Sequence, residues 1–179
     1  MNLPNKITLI RVAMIPIFLV FMLIDGIPYG KYIAAAIFII AALTDLLDGY
    51  IARKYNLVTN FGKFMDPLAD KLLVSSALIC FVELGLIPAW IVIIIISREF
   101  IISGFRLIAS DNGVVIAASW WAKVKTTVQM TMSIMLIINL NFFVINVLEQ
   151  VAIYLSVVLT ILSLIEYMIK NKSVLKEKK

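Results

Sequence analysis

Residues 45–70 read DLLDGYIARKYNLVTNFGKFMDPLAD. Asp45 and Asp48 stand three apart, Asp66 and Asp70 four apart, and each pair sits in an otherwise apolar segment. Positions three and four apart share one face of a helix, with Cβ atoms about 5–6 Å from each other. Two helices joined by a short loop would therefore present two carboxylates each. A carboxylate inside an apolar span is expensive and normally faces a bundle interior or an aqueous cavity. Aspartate is too short to snorkel far to the interface, as lysine and arginine do. Four carboxylates in one pocket repel one another unless cations neutralise them. Hard divalent ions with oxygen ligands, Mg²⁺ or Mn²⁺, are the natural choice. A pair of such metals is a common device for displacement at phosphorus.

Small residues line the same stripes. Gly49 is four after Asp45, Ala52 four after Asp48, and Gly62 four before Asp66. They would let a bulky ligand approach the backbone, or simply let two helices pack closely. Arg53, one turn past Gly49, could reach a phosphate. Pro67 reads as a first-turn proline, which places Asp66 near the start of its helix.

Composition sets the solvent. Of 179 residues, 63% are hydrophobic and only 15% charged. A soluble domain is roughly half apolar and about a quarter charged, so lipid must surround this chain. Six apolar segments stand out, at roughly 7–24, 32–51, 67–84, 87–105, 121–140 and 147–168. A span needs about 20 mostly apolar residues, so six spans leave almost nothing outside the membrane. The expectation is an all-α integral membrane protein, a single domain over residues 1–179, with six transmembrane helices. Charge-free runs such as Tyr32–Thr44 and Leu72–Val82 are too short to cross alone and reach full length only by taking in charged residues at one end. The first segment is not expected to be a cleaved leader, since no small-residue cleavage site follows it.

Of the 16 Lys and Arg, only Lys31 lies in loops one, three and five. The others sit at the termini, in loops two and four, and at the flanking helix ends. The positive-inside rule then puts both termini in the cytoplasm, and the plasma membrane is the expected location. Trp120 and Trp121 fit an aromatic belt on the same face, and the basic tail fits anionic lipid. The Asn171-Lys-Ser sequon would be a chance match there. Asp45, Asp48, Asp66, Asp70, Arg98, Glu99 and Arg106 all fall at cytoplasmic ends of their segments, which suggests one polar cavity open to that side. Snorkelling accounts for Arg11, Lys71 and Lys123. Cys80 is the single cysteine and histidine is absent, which excludes an internal disulfide and argues against zinc. Glu83 and Glu149 read as ordinary loop-flanking charges. Glu166, near the cytoplasmic end of the sixth segment, is compatible with either the cavity or the interface.

The pattern Asp-x2-Asp-Gly-x2-Ala-Arg-x8-Gly-x3-Asp-x3-Asp over residues 45–70 is complete. It resembles the signature of the CDP-alcohol phosphotransferase family. The opening Pro4-Asn-Lys-Ile-Thr-Leu-Ile-Arg11 is similar to the family's N-terminal stretch. Ser97-Arg-Glu-Phe, Ser103-Gly-Phe-Arg and Lys123-Val-Lys-Thr-Thr-Val-Gln129 are similar to the branch whose acceptor is glycerol 3-phosphate. The resemblance implies a six-helix bundle, usually a homodimer, with its pocket towards the cytoplasm. It implies CDP-diacylglycerol as lipid substrate, two divalent cations, CMP as leaving group, and no nucleic-acid partner. It implies Asp45, Asp48 and Asp66 as core metal ligands, and Asp70 as a further ligand and the base for the attacking hydroxyl. Gly49, Ala52, Arg53 and Gly62 would contact the CDP portion.

A phosphate-bearing acceptor calls for cations. Arg98, Arg106, Lys123 and Lys125 lie at the cytoplasmic ends of segments four and five, and two arginines with a lysine could clamp a phosphate. Arg98 could instead pair with Glu99, and the two lysines could snorkel or touch lipid. Inositol phosphate would suit the same cations, whereas serine would not need them. Outside this class the rival reading is a divalent-cation transporter, disfavoured by the lack of an internal repeat and of acidic residues in the outer half of the spans.

Overall fold

The structure, a computed structural model, describes residues 2–55, 59–111, 116 and 119–172. Every regular element among them is an α-helix: α1 (Leu3–Leu23), α2 (Gly30–Lys54), α3 (Asn60–Glu83), α4 (Ala89–Asp111), α5 (Trp120–Ile138) and α6 (Phe143–Lys170). One helix falls on each of the six apolar segments. Three of them, α1, residues Gly30–Ala52 of α2, and α6, are long and apolar enough to cross a membrane. The apolar runs of α3, α4 and α5 are interrupted by the charged residues already singled out. Large apolar side chains are exposed on every helix, Ile10, Leu43, Ile79, Ile93, Trp120 and Phe143 among them. Water penalises such a surface and hydrocarbon does not; the chain is a membrane protein.

The helices form two compact units. The first comprises Met1–Leu86 with Ile134–Asn139, the second Ile87–Ser133 with Leu140–Lys179. In the first, α1 packs against both α2 and α3. Its start is fixed by Asn2, whose side chain accepts the Asn5 N–H at 3.3 Å, a cap that satisfies one of the four free donors. The buried face of α1 carries Pro4, Asn5, Thr8, Arg11, Ile15 and Phe18. Its lower half is thus polar and its upper half apolar. Phe18 meets Phe38 of α2 with ring centroids 6.0 Å apart, and buried Ala34, Ala35, Ala41, Ala69 and Ala77 let the backbones approach. At the α1–α2 turn, a Cβ on Gly30 would stand 3.0 Å from the Phe21 carbonyl oxygen, so a larger residue would push the two backbones apart. In the second unit, α4 packs on α6. Ile102 and Phe105 pack with Tyr167, and the Phe105 and Tyr167 rings meet edge to face at 5.6 Å.

One boundary corrects the sequence reading. Pro67 does not open α3: the helix starts seven residues earlier, at Asn60, and carries Pro67 inside it. The start signal is Thr59, whose hydroxyl accepts the Gly62 N–H at 3.0 Å. An internal proline removes one ladder hydrogen bond and crowds the carbonyl one turn back, yet the capped helix runs through it. Asp66 therefore lies two turns inside α3.

Candidate active site

The four aspartates belong to the first unit. Asp45 and Asp48 project from the second half of α2, and Asp66 and Asp70 from the first half of α3. Two α1 side chains tie three of them together. Arg11 donates from Nη1 to Asp45 Oδ1 at 2.6 Å and from Nη2 to Asp48 Oδ2 at 2.5 Å. Its Nε lies 3.4 Å from the Thr44 hydroxyl. Thr8 donates to Asp66 Oδ1 at 2.7 Å and stands 3.5 Å from Asp48 Oδ2. Asp48 is buried, with 1% of its side chain exposed, while Asp45 is 37% exposed, so the cluster has a dry inner end and an open outer one. Asp70 lies one turn beyond Asp66 and is half-buried.

Below the carboxylates, α1 and α3 are pinned by a second polar contact. The Thr59 hydroxyl donates to Asn5 Oδ1 at 3.0 Å while accepting from Gly62. Gly62 is where the two helices touch: a Cβ there would stand 3.1 Å from Asn5 Oδ1 and 3.3 Å from Thr59 Oγ1. The close-packing reading of Gly62 is thus realised against α1. Gly49 and Ala52 are half-buried on α2. The Arg53 side chain lies outside the described residues.

Arg11 is the main correction to the sequence reading. Expected to snorkel, it is instead buried, with 1% of its surface exposed, because two carboxylates on α2 each accept one charge-assisted hydrogen bond from its fork. Three carboxylates against one guanidinium, all ionised, leave a charge of −3 + 1 = −2 in the cluster. That surplus and an all-oxygen donor set suit one or more hard divalent ions. Among the described residues, no three acidic, Cys or His side chains are arranged to hold a metal as they stand; Arg11 is already engaged with two of the carboxylates. Thr8 was not singled out from the sequence. The available signal was the i, i+3, i+6 spacing of Asn5, Thr8 and Arg11 in an apolar helix.

The four cations proposed for an acceptor lie in the second unit, and the structure brings two of them together. Glu99 Oε1 on α4 accepts from Arg98 Nη1 at 3.1 Å and from Lys125 Nζ of α5. Arg98 is 5% and Lys125 1% exposed, too deep for snorkelling. Arg98 Nε is buried with no hydrogen-bond partner among the described residues. Arg106, two turns along α4, is exposed and places its guanidinium carbon 6.0 Å from the centre of the Tyr167 ring. Lys123 is exposed, two residues before Lys125 and so on a different face of α5. Glu166 pairs with Lys170 one turn along α6, at 2.6 Å. Glu149 is not a loop charge: α6 begins at Phe143 and buries it to 7% exposure.

The model of the CDP-alcohol phosphatidyltransferase family matches residues 1–162. A Bacillus subtilis protein named CDP-diacylglycerol–glycerol-3-phosphate 3-phosphatidyltransferase is 49% identical, over 98% of this chain and 97% of its own. Proteins of the same name from Haemophilus influenzae and Rickettsia bellii are 41% and 36% identical, each over at least 90% of both chains.

Proposed function

The chain belongs to the CDP-alcohol phosphatidyltransferase family, and from that premise we propose that it transfers the phosphatidyl group of CDP-diacylglycerol to sn-glycerol 3-phosphate. The products are phosphatidylglycerophosphate and CMP. The observation that carries this reading is near full-length identity to a relative bearing that activity's name. The complete eight-residue signature over residues 45–70 agrees with it.

The family is one of divalent-cation-dependent enzymes. Asp45, Asp48, Asp66 and Asp70 would hold two such ions, Mg²⁺ or Mn²⁺, which when bound neutralise the pyrophosphate and the leaving CMP. Gly49, Ala52 and Arg53 contact the CDP portion, and Gly62, buried against Asn5 and Thr59, supports them from the α1–α3 contact. The acceptor hydroxyl attacks the phosphorus that bears diacylglycerol, and the bond from that phosphorus to the CMP oxygen breaks. Asp70 takes the hydroxyl proton, and CMP leaves with the electron pair. Arg98 and Lys125, held by Glu99, bind the acceptor's phosphate, and Arg106 and Lys123, which do not join that cluster, add positive charge on the same two helices. Residues 1–179 act as one catalytic domain in the plasma membrane and as a homodimer. Both termini and the site face the cytoplasm, where 15 of the 16 cations are assigned by the positive-inside rule.

The test is CMP release by the purified protein in detergent with CDP-diacylglycerol and Mg²⁺. Glycerol 3-phosphate, inositol phosphate and serine are offered in turn. Release with glycerol 3-phosphate alone, abolished by EDTA and by Asp70→Asn, is the expected result. Release with a different acceptor would keep the family and reject the branch. Metal flux into sealed vesicles, without CMP release by any acceptor, would reject the enzyme.

A further inference from the structure

The Arg11 contact carries an inference beyond the catalytic roles. A guanidinium cannot lose its charge near neutrality, so Arg11 is a permanent cation placed where metal is expected to bind. It is 1% exposed and spans the two α2 carboxylates at 2.6 and 2.5 Å. Each contact takes one oxygen of its carboxylate, Asp45 Oδ1 and Asp48 Oδ2, so a metal ion would have to share the pair with a fixed positive charge a few ångströms away. One guanidinium leaves two of the three negative charges unbalanced, so it lowers the repulsion without removing the demand for further cation.

We propose that Arg11 is a built-in counter-ion that holds Asp45 and Asp48 together in the metal-free protein and competes with divalent metal for them. This rests on the reading of the aspartates as metal ligands. Metal entry then exchanges one cation for another, and the α1–α2 contact loosens as the site fills. Arg11 is a positioning residue for the carboxylates, and it sets metal affinity below what four aspartates alone would give. The opposite role is equally concrete: a guanidinium that merely preorganises the carboxylates would strengthen metal binding, and its loss would weaken it.

The experiment is a Mn²⁺ titration of the full chain in detergent, read by the EPR signal of free Mn²⁺, with thermal unfolding measured in EDTA and in saturating Mn²⁺. Arg11→Gln should bind Mn²⁺ at least about tenfold more tightly, since one unit charge no longer repels the ion across a few ångströms. Its unfolding midpoint in EDTA should fall, and Mn²⁺ should raise that midpoint more than in the parent. Unchanged or weaker Mn²⁺ binding by Arg11→Gln overturns the proposal. If Arg11→Gln does not fold, Arg11→Met decides, because methionine also removes the charge while filling the buried space with a flexible apolar chain. Tighter Mn²⁺ binding than the parent supports competition, and equal or weaker binding overturns it. Mn²⁺ binding by no form at all would overturn the metal reading along with it, whereas binding by the parent without tightening in the variants rejects the counter-ion role alone.

Discussion

Gly62→Ala pits helix propensity against packing at the α1–α3 contact, and the structure decides which wins. Alanine in a helix is favoured over glycine by about 1 kcal/mol in the interior, and by less in the first turn, where Gly62 lies. Against this, the new Cβ would meet Asn5 Oδ1 at 3.1 Å and Thr59 Oγ1 at 3.3 Å. Those two atoms are bonded to each other at 3.0 Å, and Thr59 also caps α3. Neither can retreat without stretching a hydrogen bond worth about 1 kcal/mol, and overpacking itself costs roughly 1–3 kcal/mol. The net expectation is a loss of about 1–2 kcal/mol. Asp66 Oδ2, at 3.6 Å, is an ordinary contact and adds nothing. The assay is reversible unfolding in mixed detergent micelles, run as a double-mutant cycle with Asn5→Ala. Removing Asn5 Oδ1 takes away the nearest obstacle, so Gly62→Ala should cost about 1 kcal/mol less in that background. A Gly62→Ala protein as stable as the parent, or an equal penalty in both backgrounds, would refute the argument.

Two further outcomes follow from the second unit. Glu99→Ala removes the carboxylate oxygen shared by Arg98 and Lys125; steady-state kinetics should give a several-fold higher KM for glycerol 3-phosphate with little change in KM for CDP-diacylglycerol. Glu166→Gln should leave both CMP release and the unfolding midpoint unchanged, since its partner Lys170 is 64% exposed and exposed pairs contribute little.

The helices were legible because apolar runs and intervening turn residues are local signals. The start of α3 was not, since two local signals compete there. Pro67 suits a first turn, but Thr59 is a cap, and the cap won because its hydroxyl has a further partner in Asn5, 54 residues away. Sequence reading near one helix cannot weigh a contact made by another. The aspartate pairs were legible for the opposite reason: their spacing is set within each helix, so the face they share does not depend on the rest of the fold. The acceptor cations fall between the two cases. Arg98 and Lys125 converge on Glu99, a meeting of two helices, while Arg106 and Lys123 share only their helices with them.

Arg11 marks the limit of reading charges in a membrane chain by position alone. An arginine near the end of a span satisfies snorkelling and burial equally well, because its long stem allows both. What separates them is the company on its face. Asn5 and Thr8 are short and neutral, so they have no stem with which to reach water, and a face that carries them must turn inward. Arg11 shares that face one turn further in, with Ile15 and Phe18 beyond it. A buried guanidinium then requires carboxylates, and the chain offers only a few inside its apolar segments. Asn5, Thr8 and Arg11 at i, i+3, i+6 therefore imply that the first helix faces the aspartates. The same inference applies to Lys125: with Gln129 and Ser133 it forms an i, i+4, i+8 stripe on α5, all three buried. By that rule Lys125 faces inward towards a carboxylate, and Lys123, off the stripe, does not.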